Sequence, residues 1–277
     1  MNTSYQLSVD TGRLAIENGT ANPKWFRPDV DPHNIRNLMQ KSDAIAIRDT
    51  AIWLGMMIVS AGCAVAFWPS VWSVPFWLVY GVLYGSAADS RWHECGHKTA
   101  FKTTWMNNAV YQLASFMIMR NPAIWQASHV RHHTDTIIVG RDPEIVAMRP
   151  PDLARIALAF VGVVDVYIAF KRMILHASGR IDPEEATYVA AKDHAKVFRV
   201  ARIWLFIYGC TIAAAVLMTS LLPLMLIGFP RLYGAWHHVL TGLLQHVGLA
   251  ENVSDHRLNT RTVLMNTVSR FIYLNMN

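Results

Sequence analysis

Three long uncharged, mostly apolar segments stand out along the sequence. They cover residues 51–68, 71–88 and 203–230. Each is close to, or longer than, the roughly 18–20 apolar residues that a helix needs to cross the hydrocarbon core of a bilayer. One such run could be a buried helix of a soluble protein, but three in one chain are poorly explained in that way. The pattern therefore predicts an all-α integral membrane protein.

The third uncharged run is too long for a single helix of ordinary tilt, and apolar residues continue beyond it. We predict two spans here, residues 200–220 and 221–242, with Pro223 and Pro230 at a turn or kink between or within them. Arg231 would then lie inside or at the edge of the last span, where a charge must reach the interface or a polar interior. The expected total is about four transmembrane helices.

The distribution of basic residues predicts the orientation of these helices. The link Pro69-Ser70 between the first two spans is uncharged, whereas residues 89–202 are rich in Lys and Arg. The positive-inside rule assigns that basic stretch and the N-terminal segment to the cytoplasm. The net charge of +6 then reflects topology, with an added attraction for acidic lipids or an acidic redox partner. It does not indicate nucleic-acid binding.

The remaining segments suggest two units. Residues 1–50 form a polar N-terminal arm without the early apolar core of a signal peptide, and residues 51–277 form one membrane domain. The apolar stretches 105–119 and 153–175 are predicted to be interfacial helices that pack at the membrane surface. The three cysteines imply no disulfide framework.

Two histidine clusters carry the candidate chemistry. The first is His93-Glu94-Cys95-Gly96-His97, and the second is His129-Val130-Arg131-His132-His133. Residues three or four apart lie on one face of a helix, so each cluster directs its imidazoles to one side. The second cluster follows Asn121-Pro122, where a new helix is expected to begin near Ala123. Five imidazoles exceed the needs of one zinc ion, and imidazole also suits iron, copper and nickel.

Two other functions compete with a multi-metal oxidoreductase. The first cluster fits H-E-x-x-H, the pattern in which two histidines bind zinc and the glutamate is the general base of a metalloprotease. Such a site needs one further ligand, and the second cluster offers three, which disfavours this alternative. The other candidate is a non-catalytic membrane scaffold, or a docking subunit for a redox partner. The metal content of the protein distinguishes these possibilities.

The residues around both clusters resemble the membrane fatty acid desaturase/hydroxylase superfamily, in particular its bacterial hydrocarbon oxygenase-like branch. The resemblance covers nearly the whole chain, and its motifs outside the two clusters are residues 98–103, 134–136, 140–144, 244–252 and 255–262. It implies a four-span domain in a bacterial inner membrane, in which a site facing the cytoplasm holds two non-heme iron ions. The ligands that it implies are His93, His97, His129, His132, His133 and His246.

The resemblance also implies a reaction and its partners. O2 is activated after the irons are reduced, and an unactivated C–H position of a fatty acyl, lipid or other hydrocarbon-like substrate is desaturated or hydroxylated. The electrons are expected from a ferredoxin or similar donor with its NAD(P)H reductase, and membrane lipids are expected neighbours. Candidate carboxylates to hold the ligand imidazoles are Glu94, Asp135, Asp142, Glu144, Glu251 and Asp255, although each could equally be a solvated charge or a helix cap.

One departure from the superfamily concerns its third histidine box, of the form H-x-x-H-H. Apart from the second cluster, His129–His133, no sequence of this form occurs within residues 1–277. We therefore expect that the sequence is cut before this box and that the 277-residue form is inactive. His237 and His238 are interpreted as core residues or as neighbours of the ligands, and the role of His256 is left open. The isolated histidines His33, His176 and His194 are expected at the surface or the interface.

Overall fold

The computed structural model describes residues 3–21 and 23–276, and within these ranges the chain forms helices and no strands. The predicted all-α class is confirmed. The α-helices of the described residues are α1 Val9–Glu17, α2 Pro32–Leu38, α3 Asp43–Ala66, α4 Val74–Gly85, α5 Ala87–Gly96, α6 Thr104–Met117, α7 Pro122–Thr134, α8 Leu153–Phe160, α9 Val163–Ala177, α10 His194–Leu217, α11 Leu222–Leu226, α12 Pro230–Gly234, α13 Trp236–His246, α14 His256–Asn259 and α15 Thr267–Ile272.

Three helical segments among the described residues are long and apolar enough to cross a membrane. They are Asp43–Ala66, Val71–Gly96 and Ala191–Leu217. Large apolar side chains point outward from them, as at Ile58 and Phe206, each 72% exposed. An apolar surface of this kind is stable against lipid rather than water. Three of the predicted spans are therefore present, and the second continues past its apolar part to the first histidine cluster, as expected.

The predicted fourth span over residues 221–242 is not one continuous helix, and breaks occur near both of the prolines at which a turn or kink was expected. This region is divided into the short helices α11, α12 and α13. Pro223 and Pro230 each stand in the first turn of a helix, and Gly228 has a left-handed backbone with φ +96°. Hydropathy alone does not detect such breaks, because the residues around them are apolar.

Residues 221–242, which we call the broken segment, nevertheless pack along α4 and the start of α5 and lead back toward the histidines. Its freed carbonyl groups accept hydrogen bonds from tyrosines, since the hydroxyl of Tyr80 donates to the oxygen of Leu226 at 2.9 Å. Further along, a Cβ on Gly234 would lie only 1.8 Å from the carbonyl oxygen of Gly81. Later still, the amide of His238 donates to Ser86 Oγ at 3.0 Å. Exposed backbone is tolerated at membrane depth only where protein groups satisfy it, as they do here.

Helices α8 and α9 are related by a bend of 84°, with Gly162 in a left-handed conformation at the corner. By length and composition this pair could count as a fourth crossing. Both of its ends, however, lie on the side of the histidine clusters. Glu144, before the pair, bonds His129, and Lys196, after the pair, lines a groove together with α7. This geometry agrees with the predicted interfacial packing of residues 153–175.

The polar arm lies against the loops that surround the histidines. The indole nitrogen of Trp25 donates to the carbonyl oxygen of Thr134 at 3.0 Å, and its ring stacks on His256 with centroids 4.1 Å apart. The hydroxyl of Tyr5 donates to Glu251 at 2.9 Å. These contacts join the arm to the end of α7 and to the segment that follows α13.

Candidate metal site

Helices α5 and α7 position the five histidines of the two clusters. His93 lies in the last turn of α5, and His97 is its C-cap. At the start of α7, the side chain of Asn121 accepts a hydrogen bond from the amide of Ala123 at 3.1 Å, and Pro122 occupies the first turn. This is a standard start for a helix. The expected stop at Asn121-Pro122 and the new helix beyond it are therefore confirmed.

Four imidazoles converge where these helices meet. One ring nitrogen of each lies within 4.8 Å of the corresponding nitrogen of all the others, in the set His93, His97, His129 and His133. The Nε2 atom of His129 is 2.8 Å from that of His97 and 3.0 Å from that of His133. A neutral imidazole has only one N–H, so such a group of nitrogens cannot satisfy itself fully by hydrogen bonds. The set suits a bound cation.

Three carboxylates bond Nδ1 atoms of the clusters, on two of these four rings and on the neighbouring ring of His132. Nδ1 of His93 lies 3.0 Å from Glu94 Oε1, Nδ1 of His129 lies 2.8 Å from Glu144 Oε2, and Nδ1 of His132 lies 2.9 Å from Asp142 Oδ2. A carboxylate can only accept, which places the ring proton on Nδ1 and leaves the Nε2 lone pair for a metal. These are three of the six carboxylates proposed for this role.

The other three candidate carboxylates have basic or phenolic partners. Asp135 accepts from Arg141 Nε at 2.8 Å, and Glu251 accepts from Tyr5. Asp255 is paired with Arg257 at 2.7 Å. These hydrogen bonds and ion pairs stabilise the surrounding loops.

The two remaining predicted ligands lie next to the four-imidazole cluster. The rings of His132 and His246 are 5.6 Å apart, and His132 is 5.7 Å from His129. Nδ1 of His246 donates to the carbonyl oxygen of Asn259 at 2.7 Å, so its Nε2 also keeps a lone pair. All six residues therefore form one contiguous group, although metal binding by each of them stays a prediction.

Trp125 forms one wall of the site and was not identified from the sequence. Its ring stacks on His129 with centroids 4.2 Å apart and lies 6.0 Å from His93 and 6.1 Å from His97. Gly96 makes room for it, because a Cβ there would lie 2.2 Å from the indole. The available signal was the spacing of Trp125 and His129, four residues apart on one helix face.

The electrostatic environment keeps several imidazoles neutral. Burial, followed by the neighbouring imidazoles, lowers the pKa of His97 to about 4 and that of His133 to about 3. Burial would also lower the pKa of His132, but its hydrogen bond to Asp142 raises it overall. Burial opposes ionisation of Glu144, yet the bond to His129 brings the pKa of this carboxyl to about 2. Neutral imidazole is the form that ligates a metal.

The remaining histidines divide between core and surface. His237 and His238 are buried, as expected for core residues, and His238 Nδ1 lies 3.7 Å from Asp89. His33 is exposed and His194 is partly exposed. The expectation for His176 was wrong, because its ring is 3% exposed and Nε2 lies 2.6 Å from Glu185. The segment after α9 folds back over this turn, which the sequence pattern did not indicate.

A cavity of about 1000 Å3 adjoins the histidines. Its wall includes His129, His132 and His246 together with apolar side chains from α8, α9 and α10. The apolar part of the lining includes Met119, Ile156, Ile168, Met173 and Trp204. The rest of the lining is polar and includes charged side chains such as Arg120, Asp165 and Arg172. The cavity is therefore large enough for a small molecule or an acyl chain, and its apolar part suits a hydrocarbon group.

Known proteins resemble most of the chain. The fatty acid desaturase family matches residues 68–277. A bifunctional fatty acid conjugase/Delta(12)-oleate desaturase of Punica granatum is 30% identical over 126 residues, which are 44% of this chain and 31% of the relative. An omega-6 fatty acid desaturase, endoplasmic reticulum isozyme 1, of Glycine max is 32% identical over 85 residues, which are 30% of this chain and 22% of the relative.

The matched region spans a third or less of the length of these curated relatives. No solved structure matches the chain significantly. The family match nevertheless extends over most of the chain, including both histidine clusters and His246. With its apolar helices and its converging imidazoles, the chain is a membrane protein that belongs to the fatty acid desaturase family.

Proposed function

We propose that the chain forms the core of an O2-dependent non-heme di-iron oxidoreductase of the membrane. It would desaturate or hydroxylate an unactivated C–H position of a fatty acyl, lipid or other hydrocarbon-like substrate. The observation that carries this proposal is the convergence of four imidazole nitrogens within 4.8 Å of one another. The apolar part of the adjoining cavity and the family match support the same conclusion.

The donor set fits iron by its chemistry. Neutral imidazole is a good ligand for iron, and the number of rings exceeds what one zinc site uses. His93, His97, His129 and His133 would hold one part of the centre, and His132 with His246 would contribute beside them. When bound, the iron supplies the capacity to activate O2 for cleavage of a C–H bond.

The protein residues contribute orientation and exclusion of water. Glu94, Asp142 and Glu144 keep the proton of each bonded imidazole on Nδ1, so that Nε2 stays available for the metal. Trp125 covers one side of the cluster with an apolar ring. The cavity wall from α8 to α10 would hold a hydrocarbon chain beside the site, mainly by burial of apolar surface.

The electron balance defines what a partner must supply. Desaturation combines CH2–CH2, O2, two electrons and two protons to give CH=CH and two waters. Hydroxylation uses the same two electrons and two protons and gives C–OH and one water. A ferredoxin or similar donor with an NAD(P)H reductase would supply the electrons. Both outcomes remain within the proposal.

The arrangement does not favour a zinc protease. In that mechanism the glutamate of H-E-x-x-H activates water as a general base. Here Glu94 Oε1 lies 3.0 Å from His93 Nδ1, and its Oε2 accepts from the hydroxyl of Thr99 at 2.7 Å. Both oxygens of Glu94 are therefore engaged in holding the helix end and its histidine.

Metal and product analysis test the proposal. The protein, expressed from its natural gene and purified in nanodiscs, should contain about two irons per chain by elemental analysis. With O2, a reductant and acyl-lipid substrates, it should form an alkene or an alcohol that mass spectrometry identifies. Stoichiometric zinc without iron would support the protease instead, and the absence of bound metal would support a scaffold.

A further inference from the structure

A donor protein must approach the proposed iron site closely, since each turnover consumes two external electrons. This inference rests on the proposed function. Helix α7 offers a route for the electrons. Its histidines His129, His132 and His133 face the metal site, and its opposite face borders a groove. That face carries Ala123, Ala127, Val130 and Thr134, which are spaced three or four residues apart. We call this depression, of about 650 Å3, the α7 groove.

The charge of the α7 groove is predominantly positive. Four basic side chains line it, namely Arg131, Arg141, Lys192 and Lys196. Two acidic residues line it as well, and both have basic partners. Asp135 is buried and bonded to Arg141, and Asp193 is bonded to Lys196 at 2.8 Å. The groove therefore keeps an excess of positive charge.

An exposed apolar residue lies among these basic side chains. Val130 is 68% exposed and directly follows the candidate ligand His129. Its neighbour Arg131 is held in place, because Nη2 donates to the carbonyl oxygen of Thr187 at 3.2 Å. A small apolar contact surrounded by charge suits a transient complex, in which electrostatic attraction guides the encounter.

The position of the groove favours a soluble partner over a lipid head group. Lys196 precedes Ile203, the first residue of the uncharged part of α10, by seven residues. At 1.5 Å per residue, this places Lys196 about 10 Å along the helix from that apolar part. Arg199 and Arg202 lie between them and are better placed for lipid phosphates.

We propose that the α7 groove is the docking site of a small acidic electron-transfer protein. The bound donor would be separated from the box histidines by α7 alone, a thickness of about 10 Å. The electrons would enter on this side, while the substrate occupies the cavity on the other. Val130, Arg131 and Thr134 of the groove are each the sequence neighbour of a histidine of α7, so that the path is continuous at this end of the helix.

Charge reversal at Lys192 tests the proposal. We would introduce Lys192→Glu into the protein expressed from its natural gene and purify it in nanodiscs. Turnover would be measured against the concentration of a plant-type ferredoxin with its NADPH reductase. The apparent KM for ferredoxin should rise at least tenfold at low salt and approach that of the unaltered enzyme at high salt. Iron content, and turnover driven by dithionite, should be unchanged.

Arg13→Glu provides the matched control. Arg13 is an exposed basic residue of α1, paired with Asp10, and does not line the groove. This variant should keep the ferredoxin KM of the unaltered enzyme. An equal rise in both variants would show that only net charge matters, and no rise in Lys192→Glu would exclude docking at the groove.

Two further outcomes would also overturn the proposal. A KM increase for Lys98→Glu alone would locate the donor at the exposed edge of the site beside His97. A defect of Lys192→Glu that appears only in nanodiscs with acidic phospholipid would indicate a lipid site. Failure of the proposed function is separable from these, because the unaltered protein would then show neither iron nor turnover with dithionite.

Discussion

The indole of Trp125 lies face to face with the imidazole of His129, with ring centroids 4.2 Å apart and planes inclined by 21°. This stack fixes the plane of the His129 ring, and the hydrogen bond to Glu144 fixes the ring proton on Nδ1. The orientation of His129 is therefore set by two contacts that are independent of any metal. Such preorganisation makes the geometry of the site sensitive to residues that do not bind metal.

Gly96→Ala should disrupt this stack. A Cβ at this position would lie 2.2 Å from the indole of Trp125, so the rigid ring would have to move away from His129. Bound iron and turnover should both fall at least tenfold. Gly62→Ala in α3 is the control, because a Cβ there has no neighbour within 4 Å. Full iron content in the Gly96→Ala protein would show that the stack is dispensable.

Glu144→Gln should weaken metal binding without unfolding the protein. The amide keeps the size of the side chain but removes the charge that accepts from His129 Nδ1. Loss of such a contact typically costs about 10–100-fold in metal affinity or activity. Iron titration measures the effect. Glu251→Gln, which alters a carboxylate bonded to Tyr5, should stay close to the unaltered protein, and an equal loss there would contradict the assignment.

The six candidate ligands should differ from the isolated histidines. His132→Ala and His246→Ala should each abolish turnover and lower bound iron, because each removes a ring from the contiguous group. His33→Ala should leave both quantities unchanged, since His33 is exposed. Elemental analysis and product formation would be measured on the same samples. Normal iron in His246→Ala would remove that residue from the ligand set.

His176→Ala should act on stability rather than on the metal. The change would leave the buried carboxylate of Glu185 without its 2.6 Å partner, which costs about 1–3 kcal/mol. Thermal unfolding in detergent should shift to lower temperature, while iron per folded chain stays constant. His194→Ala, at a partly exposed position, should unfold like the unaltered protein. A parallel loss of iron in His176→Ala would instead connect this pair to the metal site.

The orientation in the membrane also stays a prediction. The positive-inside rule places both histidine clusters in the cytoplasm and Ser70 outside. A membrane-impermeant thiol reagent applied to intact cells should label a cysteine placed at Ser70, but not one placed at Thr103. The opposite labelling would reverse the topology and separate the site from a cytoplasmic electron donor.

The sequence predicted those features that depend on local spacing. The face shared by His93 and His97, and the start of α7 at Asn121-Pro122, follow from helix geometry and capping alone. Features that depend on distant packing were less accessible. Glu144 could be proposed as a partner of the ligands, but only the return of its loop onto α7 brings it to His129. His176 was misplaced because its partner Glu185 lies in a separate turn.

The broken segment is a further example of a feature that depends on distant packing and could not be predicted from the sequence. Hydropathy located an apolar stretch of the right length over residues 221–242, but it reports neither helix continuity nor close backbone contact. The left-handed Gly228 and the approach of Gly234 to Gly81 decide both properties. Small residues where two helices cross allow the helices to approach closely. This effect can be recognised only when the residues of both helices at the crossing are known.

The contact between Gly81 and Gly234 has a consequence for the order of assembly. His246 reaches the other imidazoles only at the end of a segment with several backbone breaks, and this contact seats that segment against α4. If the six histidines bind iron as proposed, iron capture by the complete set would follow the seating of α12. Partial iron loading during biogenesis would then report how far insertion of the last apolar segment has advanced.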